Sequence, residues 1–333
     1  MPDVPGVETF AGPRFHSAQW RHDVDLVGKR VAAIGTGASA IQFVPQIAPT
    51  VASLALFQRT PPWIIPKLDG PVDARKKALL RWIPGYARLQ RAIIYVRHEL
   101  RALGFTVDPK ILGLAEKIAK KHLARQIADP VLRAKVTPSY RMGCKRILIS
   151  NDYYPALTRE NFTVITDPIV RVEADAVVTA DGTRHVADVL IYGTGFRAQD
   201  GLSPVRVVGE GGRTLDDAWA EGMQAYLGTG IAGFPNFFTL VGPTTGIGHN
   251  SMVYMIESQI AYVLDALAQM KKRGARALDV RADVQHAFNI ELHNRTKRTI
   301  WHSGCRSWYL GFAFDFRRRT RKIEPGRYRW IGR

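Results

Sequence analysis

The chain has 333 residues, 46% of them hydrophobic, with 47 Lys and Arg against 29 Asp and Glu, a formal net charge of +18. That apolar content excludes a disordered chain and supplies the core of one large or two ordinary domains. No apolar run approaches the ~18 residues of a membrane span, and the opening MPDVPGVETF lacks the basic and apolar regions of a signal peptide, so a soluble protein is expected. The only cysteines, Cys144 and Cys305, are too few and too distant in sequence to suggest a disulfide framework or a cysteine zinc site, which makes a reducing cytoplasm the default. The excess of cations first suggests nucleic acid or an anionic membrane surface. No nucleic-acid recognition motif accompanies it, and solvated basic faces with attraction of a phosphorylated cofactor explain it with less.

In chain order, the first strong element is a short apolar run, Arg30 to Ile34, bounded by Gly28 and Gly35, which reads as a buried parallel strand. A helix-spaced ASAIQFVPQIA and a second apolar run, SLALFQR, complete a strand–helix–strand crossover unit. From Pro71 to about Lys135 the sequence turns to Lys- and Arg-rich helical segments, read as a helical insertion whose outer face either meets water or serves a membrane or partner. β-type sequence resumes at Asn161, with ADGT as a hairpin turn and DVLIYGTGF as a buried strand ending in glycines. NFFTLVG is expected to be another buried strand, leading through PTTGIGHN into a helix from about Ser251 to Lys272.

Directly after the first strand, Gly35, Gly37 and Ala40 occupy the three positions of GxGxxG/A. The first permits a tight turn, the second lets backbone approach a pyrophosphate, and Ala40 allows close helix–strand packing; the helix N-terminus then offers N–H groups to phosphates. Gly35, Thr36, Gly37, Ala38, Ser39 and Ala40 are therefore candidate cofactor-binding residues, with an empty structural turn as the alternative. An NAD site would carry an acid at the end of the second strand. Here the sequence is LFQRT; Arg59 and Thr60 suit a 2′-phosphate, so NADP is favoured, unless Arg59 is only a solvated strand-end cation. The nine histidines show no HExxH or paired spacing, so no metal is expected, and there is no GxSxG nucleophile elbow.

The spacing Phe10, Gly12, His16, Trp20 reads FxGxxxHxxxW, which resembles the fingerprint of Baeyer-Villiger monooxygenases, members of the flavin-containing monooxygenase superfamily. Arg21 departs from the residues usual after the tryptophan, and Trp20 leans toward ketone oxidation over N- or S-oxidation. GCKRILISNDYYPAL, DVLIYGTGF, GFPNFFTLVGP and SGCRSWYL resemble later family segments in the right order. From residue types alone Lys145 and Arg146 would be two surface cations; the resemblance implies that Arg146 is catalytic, its fixed charge holding an oxygen-derived anion on the flavin unprotonated, and that Lys145 supports the NADP 2′-phosphate.

What the resemblance implies is an α/β protein: a Rossmann-like NADP-binding domain with a helical insertion, plus the C-terminal part of a discontinuous FAD-binding domain. The expected boundaries are 1–28 for the fingerprint linker, 29–186 for the NADP domain with its insertion at about 71–135, and 187–333 for the FAD-domain part and tail. Thr194, Gly195 and Gly242, with Gly246 and Gly248 before the Ser251 helix, are the expected FAD-side residues. The implied cofactors are NADP(H) and FAD, and the implied activity is NADPH- and O2-dependent conversion of a small-molecule ketone to an ester or lactone, without nucleic acid. The family's N-terminal FAD-binding GxGxxG segment is not found, so weak FAD retention is expected. A separate FAD-domain polypeptide, an inactive NADP-binding remnant and an N- or S-oxidising enzyme stay open.

Overall fold

Residues 4–196, 205–246, 251–304 and 322–332 are described in a computed structural model. In chain order the elements are β1 (Arg14–His16), β2 (Arg30–Ile34), α1 (Ala40–Ile47), β3 (Ser53–Phe57), β4 (Ile64–Ile65), α2 (Ala74–Trp82), α3 (Tyr86–Thr106), α4 (Leu112–Gln126), α5 (Pro130–Lys135), β5 (Leu148–Ile149), α6 (Tyr153–Leu157) and β6 (Phe162–Ile165). There follow β7 (Ile169–Val172), β8 (Ala176–Thr179), β9 (Arg184–Val186), β10 (Val189–Tyr192), α7 (Leu215–Ala218), α8 (Met252–Arg273), β11 (Ala277–Val280), α9 (Ala282–Thr296) and β12 (Tyr328–Ile331). They form two units, one of residues 1–70, 113–142 and 146–196, the other of residues 71–112, 143–145 and 197–333.

The first unit is built on a five-stranded sheet in the order β1-β10-β2-β3-β6, parallel throughout. Its strands are near-continuous apolar runs because both faces are covered. Val31, Ala33, Leu54, Leu56, Val189 and Ile191 face a core shared with α1, α4 and α6. Ala32, Ile34, Phe57, Leu190 and Tyr192 face the opposite core, shared with Phe10, Val172 and Val177. Burying a side chain such as Leu54 or Leu56 contributes roughly 1.5–3 kcal/mol. α1 buries Ala40, Ile41, Val44 and Ile47, the three-to-four spacing of a helix lying on a sheet. On the other face β7, β8 and β9 form an antiparallel sheet, and its β8–β9 turn at ADGT has Gly182 at φ +83°, a left-handed position that favours glycine.

Three sequence-based expectations change here. The DVLIYGTGF strand, assigned to the FAD-domain part beginning at 187, is β10 and pairs in parallel with β2, so the first unit runs on to Phe196. Parallel neighbours are joined by long connections, and no local pattern names the partner. The fingerprint linker is itself partly sheet, since β1 pairs with β10 as an edge strand. The stretch at 71–135 is helical, yet it divides, residues 71–112 going with the second unit and 113–142 with the first.

The second unit gathers Tyr226, Tyr262, Leu278, Val280, Phe288, Leu292 and Tyr328 into one core against the antiparallel pair β11–β12. α8 is capped by the Ser251 hydroxyl, which accepts from the Tyr254 N–H, and ends at Gly274 in the left-handed conformation after Lys271, Lys272 and Arg273, a full set of helix start and stop signals. NFFTLVG is not a strand. Asn236 and Val241 have positive φ, and the N–H groups of Asn236, Thr239 and Val241 donate to the Leu278 and Thr229 carbonyls and to Gln259 Oε1. Nor is the run buried: Thr239 is, but Asn236 and Leu240 are exposed, because a ladder and its cover both need partners that an apolar run does not itself supply. Cys144 is buried and disulfide-bonded, which its sequence context did not suggest; Cys305 lies outside the described residues.

Asp188, at the amino end of β10, accepts from the Arg30 backbone N–H at 2.8 Å and from its guanidinium at 2.6 Å and 3.2 Å, clamping the starts of β10 and β2. The Arg30 side chain above all, and then its N–H, hold the carboxyl down at about 2 against an ordinary 3.8. A carboxyl lowered by folding stabilises above its ordinary value, and that stability is lost as pH falls through the lowered one. With both side chains partly in water the contribution is about 1 kcal/mol. In urea titrations the midpoint of Asp188→Asn is expected to lie below wild type at pH 6, with the gap closing as pH falls from about 4 to about 2; a gap independent of pH would contradict the clamp.

Candidate functional site

In an open parallel sheet the ligand crevice forms where neighbouring strands lead away in opposite directions, outside their carboxyl ends. Here that place is the end of β2, flanked by β3 on one side and β10 on the other. Gly35 leaves β2 with φ +106°, and its N–H donates to the Phe57 carbonyl at 3.0 Å. A Cβ on it would stand 2.5 Å from the Gly193 carbonyl oxygen. Gly35 is thus required twice, by its dihedral and by the approach of the β10 backbone. Around Gly37 the nearest atom to such a Cβ is 3.9 Å away, so the protein leaves that space open, as a pyrophosphate would need. Ala40 is fully buried, and its Cβ lies 3.4 Å from where a side chain on Gly193 would begin.

The first turn of α1 carries no side-chain cap, the Ser39 hydroxyl making no capping bond. The N–H groups of Ile41, Gln42 and Phe43 donate to the Gly37 and Ser39 carbonyls, so what the start of α1 offers a ligand is the partial positive charge of the helix end and the backbone of the glycine turn that precedes it. The Thr36 hydroxyl donates to the Thr60 carbonyl at 3.0 Å and so ties the glycine turn to the end of β3. Arg59, next to it, is exposed and makes neither an ion pair nor a hydrogen bond among the described residues. The cradle, its fixed N–H donors and a cation beside it fit a phosphorylated dinucleotide.

The fingerprint residues act on this site through packing. Phe10 is buried in the core beneath β2 and β10. A Cβ on Gly12 would stand 2.1 Å from the Asp188 carbonyl oxygen and 2.8 Å from the Phe10 ring; the nearer obstacle is backbone and cannot turn aside. His16 Nδ1 accepts from the Ala18 N–H at 3.2 Å, which leaves the Nε2–H to donate to the Gly195 carbonyl at 3.1 Å and sets the tautomer. His16 therefore pins the turn after β10, where Gly195 has φ +83° and Thr194 and Gly195 are exposed. Trp20 meets Phe15 edge-on at 5.2 Å and Phe43 of α1 at 5.4 Å, bracing the glycine-turn helix.

Gly35 to Ala40, Arg59, Thr60, His16, Thr194 and Gly195 all belong to the first unit, as does Arg146, exposed and without an ion pair among the described residues. Lys145, half-buried, and Gly242 belong to the second. A Cβ on Gly242 would stand 2.2 Å from Thr239 Oγ1 and 2.5 Å from the Gly228 carbonyl, so that glycine is already required by its own unit. Gly248 and most of SGCRSWYL lie outside the described residues. Sequence reasoning missed Gly193, whose only signal was its place at a strand end followed by TG, and Asp188.

The sheet order and the cradle define a dinucleotide-binding α/β protein. Residues 1–73 match the family described as flavin-binding monooxygenase-like. A Baeyer-Villiger monooxygenase of Pseudomonas aeruginosa is 50% identical over 340 residues, a match covering 98% of this chain and 64% of that protein. Among solved structures, an oxidized steroid monooxygenase bound to NADP superposes with a TM-score of 0.81 at 31% identity, over 94% of this chain and 67% of that one. OTEMO in complex with FAD and NADP gives 0.80 at 29% identity, over 93% and 66%. The chain belongs to the Baeyer-Villiger monooxygenases of the flavin-binding family, and it spans 64% of the length of the Pseudomonas relative.

If Gly12 is required by the Asp188 carbonyl, Gly12→Ala is expected to cost roughly 2 kcal/mol or more and to lower the melting temperature by several degrees. An alanine variant melting with wild type in a thermal scan would show that the backbone yields there.

Proposed function

We propose that the crevice at the end of β2 binds NADP(H) and that the chain serves a flavin-dependent oxygenation of a ketone to an ester or lactone. The cradle supports the first part: a turn held open at Gly37, where nothing lies within 3.9 Å of a would-be side chain, under an uncapped helix start. There the backbone of the glycine turn, at the positive end of α1, would hold the pyrophosphate, and Arg59 would hold the 2′-phosphate with help from Thr60. The NADP and FAD bound by the similar solved proteins support the choice of cofactors, with Thr194 and Gly195 as the residues of the first unit that would meet FAD.

When bound, NADPH supplies a hydride and the reduced flavin the means of activating dioxygen. The chain's own work is to bind, orient and stabilise charge. Arg146, exposed and free of any carboxylate among the described residues, would keep negative charge developing on oxygen unprotonated and facing the carbonyl. His16, by fixing Gly195, would hold the β10 turn at the edge of the nicotinamide crevice. Trp20, packed between β1 and α1, supports the ketone-oxidising reading over N- or S-oxidation.

Two variants separate binding from chemistry. Arg59→Ala is expected to weaken NADPH roughly 30-fold, the worth of a charge-assisted bond near 2 kcal/mol, while leaving NADH unchanged. Arg146→Ala, with FAD supplied, is expected to retain NADPH affinity while ester formation falls by two orders of magnitude or more, as for loss of an oxyanion donor. Calorimetry and product analysis on a ketone panel read the two effects. Equal losses for NADPH and NADH in the first case, or undiminished ester in the second, would overturn the respective role.

A further inference from the structure

Helices α2 and α3 carry a surface that the dinucleotide site does not use. α2 buries none of its residues, and α3, 21 residues long, buries only Ala102, Gly104 and Phe105. Within its unit α3 is attached along one face: Arg91 pairs with Glu257, Tyr95 stacks at a tilt on Tyr254 at 4.9 Å, and Phe105 lies on Trp301 at 6.1 Å. On the opposite side Leu89, Ile93, Val96, Leu100, Leu103 and Val107 recur at alternating steps of four and three and are all exposed. That spacing puts them in a single stripe along the helix. Leu79, Leu80, Trp82 and Ile83, also exposed, stand at the α2–α3 junction. An apolar surface of this extent is too large for a solvated face and marks an interaction site.

Charge decides what covers it. Residues 71–112 contain nine Lys and Arg against three Asp and Glu. Arg75, Lys76, Lys77 and Arg81 lie on α2, and Arg97 and Arg101 on α3 beside the stripe, all of them exposed. A second copy of the chain would bring two such cationic faces together, and like charges across an interface are costly. An anionic phospholipid surface offers both an apolar layer for the stripe and negative charge for its flanks. Trp82 suits the headgroup level, where an aromatic ring with a polar edge is favoured. No helix among the described residues is long and apolar enough to cross a membrane, so the helices would lie on the surface. We propose that α2 and α3 dock the chain peripherally on anionic phospholipid.

The test is co-sedimentation of the chain with vesicles of phosphatidylcholine alone and of phosphatidylcholine with phosphatidylglycerol, at about 0.05 and about 0.5 M salt. The double variant Ile93→Glu/Leu100→Glu alters only exposed positions, with circular dichroism and NADP binding as folding controls. Binding to the anionic vesicles alone, weakened roughly tenfold or more by salt and by the double variant, is expected. Three results would overturn the proposal. One is no sedimentation with anionic vesicles, and another is binding that the double variant leaves intact, which would be adsorption by the chain's overall charge. The third is a lipid-free dimer, seen by sedimentation velocity, that the double variant disperses, which would assign the stripe to a second copy.

Discussion

At the carboxyl ends of β2 and β10 two backbones come so close that a side chain on Gly35 would begin 2.5 Å from the Gly193 carbonyl oxygen. Much of the first unit follows from that approach. Gly35 is required at φ +106°, so the chain turns sharply enough for α1 to start over the sheet. Ala40 then packs against the β10 end, which leaves the positive end of α1 beside the glycine turn. Bonds from neighbouring elements fix the same spot: the Gly35 N–H to the Phe57 carbonyl, Thr36 to Thr60 and His16 to Gly195. The cradle is thus formed by the protein before any ligand arrives, which lowers the ordering cost of binding.

The part of this that could be read from residues alone is the local part. GxGxxA after an apolar run and before a helical one sits within about a dozen residues, and each of its small residues answers a steric demand within the same turn. The helix starting after Ser251, with its cap and its terminal glycine, was legible for the same reason. What escaped was set by non-local partners. DVLIYGTGF reads equally well in either sheet of a two-domain protein, and only the pairing of Val189 with Val31 settles it. NFFTLVG has the composition of a strand, but its N–H groups bond to Leu278, Thr229 and Gln259, none of which its own sequence announces. Trp20 and Gly12 were legible as fingerprint positions, while their physical reasons, the Phe15–Phe43 bracket and the Asp188 carbonyl, belong to the fold.

The large positive charge resolves into different jobs. Arg30, Arg171, Arg184 and Arg329 are paired with carboxylates and stitch strands and loops together. Arg59 and Arg146 are exposed in the first unit without such partners among the described residues, as the roles proposed for them toward anionic ligands require. Arg91 of α3 is paired with Glu257, whereas Arg75, Lys76, Lys77, Arg81, Arg97 and Arg101 of α2 and α3 are exposed and accompany an apolar stripe. Net charge alone could not separate these roles, because it counts cations without their neighbours.

The central claim is that the end of β2, between β3 and β10, is the NADP site. Hydrogen–deuterium exchange of the chain with and without NADP+ tests it most directly. Slower exchange is predicted across Gly37–Phe43 and Gly193–Phe196, with a weaker effect from NAD+ at equal concentration. Protection confined to other segments, or none at saturating NADP+, would contradict the account.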